Sequence, residues 1–203
     1  MHETYANGTS RAKICKFSVD SAPERKFLRY SPLTMQDSID LDRTDRAILH
    51  ELQLDAKLTN QALAERVSLS ESAVLRRVRR LEASGLLRGY VALVDQPMAG
   101  YPDNVFVQIT LTSQQQDDLA RFEAAVAAIP EVMECYLMSG AADYLLRVIV
   151  EDARDYERIH SQHLTRLPGV ARVNSNFALR TVIKKTEIPV RPVRAAGTKP
   201  GRR

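Results

Sequence analysis

The chain has 203 residues, of which 44% are hydrophobic and 27% charged, enough for one large or two small globular domains. No run approaches the roughly 18 apolar residues that cross a bilayer, and no apolar block of signal-peptide length opens the chain. The two cysteines, Cys15 and Cys135, are too few and too far apart for a disulfide framework, and no His or Cys has structural-zinc spacing. We therefore expect a soluble cytoplasmic protein with no metal or cofactor.

The net charge of +4 is distributed unevenly along the chain. It is +2 over residues 1–37, 0 over 38–95, −4 over 96–183 and +6 over 184–203. The basic tails raise the overall pI, which alone is weak evidence for nucleic-acid binding. More informative is a local cluster of five arginines against two acids between residues 71 and 88: Arg76, Arg77, Arg79, Arg80 and Arg88.

Three short helices are predicted after an N-terminal extension. Residues 1–37 lack sustained periodicity and are expected to be disordered, so that Met35 could serve as the natural start. Capping residues and helical spacing then predict helices over about 42–56, 60–67 and 71–84, with N-caps at Asp42, Thr59 and Ser70 and a C-terminal stop at Gly85. Because only three residues separate the last two helices, they form a helix-turn-helix.

The third predicted helix has an apolar stripe and a basic face. At 100° per residue, Val74, Val78 and Leu81 lie together, whereas the opposite side carries Ser72, Arg76, Arg79, Arg80 and Ala83. A solvated basic helix is the alternative, but arginines on the second helix of a helix-turn-helix favour DNA binding. We expect Ser72 and Arg76 near bases, Arg77, Arg79 and Arg80 mainly on phosphates, and Ser70 at the helix start among the DNA-binding residues.

The remaining pattern predicts an α+β protein of two domains. Residues 86–94 are rich in β-formers and follow the third helix as a wing would, which completes a winged helix-turn-helix domain over 38–95. Residues 96–104 form a linker. Strands 105–111, 132–139, 143–150 and 170–183 and helices 115–128 and 153–167 then give the order βαββαβ, a ferredoxin-like domain over 105–183. Because its helices cover only one sheet face, we expect a dimer formed sheet to sheet.

Six segments resemble one family, the leucine-responsive and asparagine-responsive (Lrp/AsnC) transcriptional regulators. In family order they are residues 41–49, 69–70 together with 74–82, Gly89-Tyr90, 140–147, 167–170 and 186–189. The resemblance covers about residues 38–190 and implies DNA-binding dimers, often assembled into octamers, whose C-terminal domain binds an amino acid or similar small molecule. It leaves the effector, the operator and the sign of regulation open.

One residue departs from the family pattern. Ser68 occupies a turn position where family members usually carry glycine. Glycine is common where φ is positive, a conformation that costs other residues roughly 1 kcal/mol. We therefore expect Ser68 to have a positive φ.

The loop Ser139-Gly140-Ala141-Ala142-Asp143, with Tyr144 after it, joins two adjacent predicted strands. From the residues alone, a long hairpin loop is the simpler interpretation. Its backbone N–H groups could also receive a carboxylate while Asp143 accepts an ammonium. The resemblance implies an effector site around this loop, between dimers.

Several further features can be explained without a metal site, a catalytic site or an additional DNA contact. His160 and His163 share a helical stripe with Tyr156, Ile159 and Leu167, which favours packing over metal binding. Cys135 alternates with Met133 and Leu137 and is expected to be a small core residue. The basic tail 184–203 is expected to be solvated, with DNA contact as the alternative. An enzyme of the same two-domain architecture, similar to haem-precursor decarboxylases and using His160 or His163, is the alternative function; no catalytic arrangement is visible in the sequence.

Overall fold

The computed structural model describes residues 39–191 of the chain. The predictions for residues 1–37, including the Met35 start, and for the tail beyond Arg191 lie outside the described residues. None of the helices in the described part has the length and hydropathy of a membrane span.

The first three helices agree with the sequence prediction within two residues at each end. They are α1 (Arg43–Leu54), α2 (Asn60–Val67) and α3 (Glu71–Ala83). The predicted capping residues are confirmed: the side chains of Asp42, Thr59 and Ser70 accept hydrogen bonds from the backbone N–H groups of Asp45, Ala62 and Ala73, respectively. Gly85 follows α3 with φ +74°, the left-handed conformation in which glycine ends helices.

An apolar core joins these three helices. Nine residues are buried in it, eight on the helices and Leu41 just before α1: Leu41, Ile48, Leu49, Leu52, Leu63, Ala64, Val74, Val78 and Leu81. The predicted stripe of α3 is among them, so its basic face must point away from the core.

The predicted wing does not form a strand in this structure. Residues 86–94 belong to no ladder, although they are anchored to α3 at two points. The Leu87 N–H donates to the Leu81 carbonyl oxygen (3.2 Å), and the Tyr90 hydroxyl donates to Glu82 Oε1 (3.1 Å). Burial and the adjacent Glu82 carboxylate raise the pKa of Tyr90 to about 12. The β-formers of this segment lack a partner strand among the described residues.

The rest of the described chain is a four-stranded antiparallel sheet with two helices. Its elements are β1 (Asp103–Leu111), α4 (Gln116–Val126), β2 (Val132–Leu137), β3 (Tyr144–Val150), α5 (Ala153–Gln162), a 3-10 turn (Leu164–Arg166) and β4 (Val170–Phe177). The strand order β2-β3-β1-β4 is that of the predicted ferredoxin-like fold. The last predicted strand is too long, because residues 178–183 form no ladder after the β1 pairing ends at Phe177.

Alternation along the strands gives the sheet two different faces. Val105, Val107 and Ile109 of β1 and their neighbours on β3 are buried beneath Phe122 of α4 and Ile159 of α5. The opposite face, here called the open face, carries no helix. Phe106 and Tyr136 are exposed on it, and Leu145 and Ile149 are half-buried.

Candidate functional site

The arginines of α3 divide into two pairs with different surroundings. Arg77 Nη1 donates to Asp42 Oδ2 (2.6 Å) and Asp45 Oδ1 (2.7 Å), and Arg80 Nη2 donates to the other Asp45 oxygen, Oδ2. Arg76 and Arg79 are exposed and have no hydrogen bond or ion pair with any residue of 39–191. Two cations of α3 are thus held by α1, and two face outward.

Asp45 is the centre of this ion cluster. Its side chain has no exposed surface, whereas those of Arg77 and Arg80 are 25% and 49% exposed. A buried carboxylate requires such partners, since an unpaired buried charge costs several kcal/mol. The same carboxylate also accepts the Asp42 backbone N–H (3.2 Å) and so completes the capping box of α1.

The cluster also perturbs two pKa values. The backbone N–H of Asp45 and then the Arg77 guanidinium hold the pKa of Asp42 below its usual value. Hydrogen bonds to Asp45 and Asp42 raise the pKa of Arg77 above its usual value. Arg77 is therefore charged at any physiological pH, and its charge is largely balanced from within the domain.

This arrangement gives Arg77 and Arg80 a structural role in addition to the phosphate contacts predicted for them. Their first role in the structure is to join α3 to α1. The sequence placed acids on one helix and bases on another, but a pairing across 32 to 35 residues is not visible in a local pattern. Ser70 acts as the N-cap of α3 through its hydroxyl, which also lies 3.3 Å from the Ser72 hydroxyl. Ser72 is exposed at the first turn of α3.

The turn between α2 and α3 has the conformation expected from its sequence. Ser68 has φ +54° and ψ +47°, and it is the only residue other than glycine with positive φ in the described part of the chain. Its N–H donates to the Glu65 carbonyl oxygen (3.4 Å), and the next N–H, that of Leu69, donates to Ala64 (3.0 Å). The left-handed residue thus ends α2 and directs the chain into α3.

A cavity of about 170 Å³ lies beside the loop between β2 and β3. Its lining includes four of the six predicted effector residues, Gly140, Ala141, Ala142 and Tyr144. The lining residues that the sequence analysis missed are Gln108, Met138 and Leu145. Gln108 and Leu145 are paired across β1 and β3, so their side chains share the open face. Only knowledge of the strand register could have identified them.

The loop presents unpaired backbone donors. Within residues 39–191, the N–H groups of Ser139, Gly140, Ala141 and Ala142 donate no hydrogen bond, whereas Met138 N–H donates to the Asp143 carbonyl oxygen (2.8 Å). A Cβ added to Gly140 would have no atom within 4 Å. The loop therefore has open space on the side of this glycine, next to free backbone N–H groups.

Asp143 does not remain free for an ammonium, which corrects that expectation. Its side chain is buried, with 7% of the residue exposed; Oδ2 accepts the Leu111 N–H (2.6 Å) and Oδ1 accepts Gln114 Nε2 (2.6 Å). These bonds fasten the end of the loop to the end of β1. The Tyr144 side chain also has partners within the domain: its ring centroid lies 4.5 Å from that of Phe122, and its hydroxyl donates to Glu123 Oε1 (2.8 Å).

The remaining candidate residues have ordinary environments. His160 and His163 are half-buried, and the His160 ring lies 5.9 Å from that of Tyr156, in agreement with packing. Among residues 39–191, no group of three or more His, Cys, Asp or Glu side chains could hold a metal. Cys135 is exposed rather than buried, because its strand β2 is at the edge of the sheet. The prediction of a core cysteine was therefore wrong for this chain.

Comparisons with known families match both halves of the described chain. Residues 41–88 match a model described as winged helix-turn-helix DNA-binding, and residues 104–188 match the Lrp/AsnC ligand binding domain. The Bkd operon transcriptional regulator of Pseudomonas aeruginosa is 42% identical over 151 residues, which cover 74% of this chain and 99% of that protein. The leucine-responsive regulatory protein of Salmonella typhimurium is 40% identical over 152 residues, covering 75% and 93%.

Solved structures agree with these matches. A transcriptional regulator from Neisseria meningitidis in complex with L-Met superposes with a TM-score of 0.70 at 34% identity, covering 73% of this chain and 96% of that one. An AsnC family transcriptional regulator from Agrobacterium tumefaciens gives a TM-score of 0.71 at 38% identity, covering 73% and 97%. The similarity therefore extends through both domains.

Proposed function

Because the chain belongs to the Lrp/AsnC family of transcriptional regulators, we propose that α3 reads DNA through its outward residues Ser72, Arg76 and Arg79. The protein is a DNA-binding transcriptional regulator with a second domain that responds to an amino acid or a related small molecule. Its family favours this function over the enzyme alternative. The observation that carries the assignment within α3 is the division of the arginines, since an unpaired guanidinium has all of its N–H groups free to donate to guanine or phosphate.

Within this surface, Ser72 and Arg76 lie nearest the start of α3 and contact bases. Arg79, one turn further on, contacts phosphate. Ser70 contributes mainly by capping, and Arg80 uses the exposed half of its side chain for a further phosphate. Selection from a random duplex library by the full chain tests this proposal: we expect enrichment of a defined sequence, and a pool without enrichment would contradict base reading.

The effector binds in the cavity beside residues 139–144. At 170 Å³ the cavity is smaller than the about 300–1,000 Å³ of drug-sized pockets, which suits an amino acid. Free N–H groups of residues 139–142 can receive its carboxylate, the Gln108 side-chain oxygen can accept from its ammonium, and Met138 and Leu145 can contact its side chain. Asp143 supports the loop rather than the ligand.

A thermal-shift screen of the common amino acids and their keto acids tests this site. Binding to the folded form alone adds about 2.7 kcal/mol to the free energy of unfolding at a hundred times the dissociation constant, so hits should be evident. Gly140→Leu should abolish the shift and Gly140→Ala should keep it, because an added Cβ meets no atom while a longer side chain can enter the cavity. A shift that survives Gly140→Leu would place the effector elsewhere.

The protein forms a homodimer through the open face of its sheet. Phe106 and Tyr136 expose aromatic surface there, next to half-buried Leu145 and Ile149. Exposed aromatic surface on a sheet face that carries no helix favours a partner of the same shape, although Arg147 and its ion-pair partner Glu134 lie among these residues. Light scattering should find a dimer or a larger even assembly, and Phe106→Glu should reduce its mass, whereas Met98→Glu, in the linker, should not. An unchanged mass in Phe106→Glu would contradict this interface.

A further inference from the structure

The described chain passes between its two domains twice. Residues 84–102 lead from α3 to β1, and residues 178–186 lead from β4 back to α1. At the end of the second connection, Glu187 Oε1 lies 2.7 Å from His50 Nδ1 on α1. The DNA-binding domain is therefore attached to the ferredoxin-like domain at two places, one after α3 and one on α1.

The second attachment uses both side chains and backbone. One helical turn after His50, Gln53 contacts the backbone of Ile188 twice: the Ile188 N–H donates to Gln53 Oε1 (2.7 Å), and Gln53 Nε2 donates to the Ile188 carbonyl oxygen (3.2 Å). Val190 packs against the apolar core of α1–α3. Residues 187–190 are here called the clasp. Three polar contacts and one apolar contact thus hold the clasp on α1 and its core.

The sequence of the clasp favours these contacts. A residue before proline is biased towards an extended backbone, and Ile188 precedes Pro189. The N–H and carbonyl groups of an extended residue point to the same side, so one glutamine amide, which has an acceptor and two donors, can bond to both. Residues 186–189 are one of the segments that resemble the Lrp/AsnC family, and neither the DNA site nor the effector site gives them a role. Attachment to α1 is a role that their residue types explain.

The second connection is short enough to restrain the DNA-binding domain. At its start, the Ala178 N–H donates to the Asn104 carbonyl oxygen of β1 (2.9 Å). Glu187 follows Ala178 by nine residues, which span at most about 30–32 Å when fully extended. A domain attached by one connection can turn in every direction, whereas a second attachment elsewhere on its surface restricts that rotation. The clasp therefore limits how far α1 can turn relative to the sheet.

The restraint on α1 extends to the recognition helix. The helices α1 and α3 share one apolar core, and Asp45 of α1 is bonded to Arg77 and Arg80 of α3. The two helices therefore move as one body. His50 and Gln53 lie in the C-terminal half of α1, whereas Asp45 lies in its first turn. The clasp can thus fix the direction of α3 from a distance.

We propose that the clasp fixes the relative placement of the two recognition helices in a dimer and thereby selects the spacing of two half-sites on DNA. The duplex that fits has half-sites whose centres lie about 34–36 Å apart, or a multiple of that distance. Two α3 helices keep a constant separation only if each is held on the sheet through which the chains associate. His50 and Gln53 are positioning residues, since they contact the clasp rather than DNA. This inference rests on the proposed DNA reading by α3 and on the proposed dimer.

The experiment titrates the full chain against duplexes that carry one half-site of the selected sequence, or two half-sites at varied spacing. An insertion of about five base pairs moves one half-site to the opposite side of the duplex, because B-DNA repeats every 10–10.5 base pairs or so. We expect the full chain to bind its preferred spacing on the order of 10-fold more tightly than the inserted one, since only the former lets both domains bind at once. His50→Ala with Gln53→Ala should reduce that ratio to about 3-fold or less. Binding to a single half-site should not change.

A second variant breaks the same contacts from the other side. Glu187→Ala removes the partner of His50, and Ile188→Pro removes the N–H that donates to Gln53. Together they leave every residue of α1 intact, so an equal loss of spacing preference would assign the effect to the clasp rather than to a damaged helix. As a control, Gln162→Ala, at an exposed position of α5, should keep the ratio.

Three results would overturn the proposal: no spacing preference in the full chain, an unchanged ratio in either double variant, or an equal loss of affinity for every duplex, as a purely stabilising contact would give. If Arg76→Ala abolishes discrimination between the selected and a shuffled duplex while both double variants keep the spacing preference, DNA reading by α3 stands and this inference fails. If light scattering finds a monomer, the proposed dimer and this inference both fail. A chain that binds no duplex would refute the proposed function as well.

Discussion

Two aspartates are the buried charged residues of the described chain, and the two domains hold them differently. In the DNA-binding domain, Asp45 accepts from two arginines of α3. In the ferredoxin-like domain, Asp143 accepts from two neutral donors, the Leu111 backbone N–H and the Gln114 amide. One carboxylate is held by charge and the other by hydrogen bonds.

The difference shows what each domain requires from its carboxylate. The ion cluster around Asp45 places two guanidinium groups against α1 and leaves Arg76 and Arg79 outward, so it determines which cations the protein presents. The neutral clamp around Asp143 introduces no cation and fixes the end of the loop beside the cavity. The ion cluster around Asp45 thus determines the charge on the surface of α3, and the hydrogen bonds of Asp143 determine the position of the loop beside the cavity.

The largest effect on the free energy of unfolding is expected when Asp45 loses both of its arginine partners. Arg77→Ala with Arg80→Ala leaves a fully buried carboxylate without its cations, which should lower the free energy of unfolding by about 3–5 kcal/mol. Asp45→Asn should cost less, because the two arginines are partly exposed and can turn to water. Urea denaturation of both variants checks this order. A double arginine variant more stable than Asp45→Asn would show that the cluster does not stabilise the fold.

Removal of the Asp143 carboxylate should have a smaller effect and appear in the other domain. Asp143→Ala leaves the buried Leu111 N–H without an acceptor, which should cost about 1–3 kcal/mol. The two domains have separate apolar cores, so hydrogen exchange can resolve them: we expect faster exchange in β1 and β3 and little change in α1–α3. Faster exchange in α1–α3 instead would contradict the claim that Asp143 stabilises the ferredoxin-like domain alone.

The distance along the sequence between contacting residues explains which parts of the structure could be predicted from the sequence. Helix ends and caps were predicted because they depend on residues within one turn, and the positive φ of Ser68 was predicted from the glycine that the family usually carries there. The partners of Arg77 and Arg80 were missed because they lie more than 30 residues away, and the contacts of His50 with Glu187 and of Gln53 with Ile188 were missed because they join residues 135 or more apart. Local patterns indicate elements but not which side chains meet across them.

The same reason accounts for the errors in the second domain. Alternation on β2 correctly placed Cys135 on one strand face but could not show that β2 is an edge strand. Composition indicated an accessible loop at residues 139–143, whereas the burial of Asp143 depends on the end of β1 beneath it. The extension of the last strand beyond Phe177 was predicted from β-propensity, which supplies no pairing partner, as was the extended wing over residues 86–94 of the first domain.

In contrast to the substitutions above, Ser68→Gly should be stabilising, and only the DNA-binding domain should be affected. Glycine adopts φ +54° without the steric cost that a side chain incurs, and the relief should outweigh the added entropy of the unfolded chain. We expect a gain of some tenths to about 1 kcal/mol, with slower exchange confined to α1–α3. A lower denaturation midpoint at unchanged slope would contradict the inferred strain.

The smallest effect concerns acid stability. The pKa of Asp42 is lowered in the folded state, so its contribution is present above the unfolded value of about 3.9 and is lost as pH falls through the lower folded value. Asp42→Asn keeps an effective N-cap but loses the exposed pair with Arg77, which should cost less than about 1 kcal/mol at pH 7. Urea midpoints of the two proteins should converge as the pH falls below the lowered pKa of Asp42 in the folded state; a difference that persists there would assign the loss to capping.

The most direct test of the central claim compares an outward arginine with a held one in DNA binding. Arg76→Ala and Arg80→Ala are titrated against the selected duplex and a shuffled duplex at several salt concentrations. Arg76→Ala should lose about 1–3 kcal/mol on the selected duplex and less on the shuffled one, so selectivity falls. Arg80→Ala should preserve selectivity, lose about equally on both duplexes, flatten the salt slope by about one and destabilise the fold. Equal loss on both duplexes for Arg76→Ala, or lost selectivity in Arg80→Ala, would contradict the division of the arginines into reading and holding pairs.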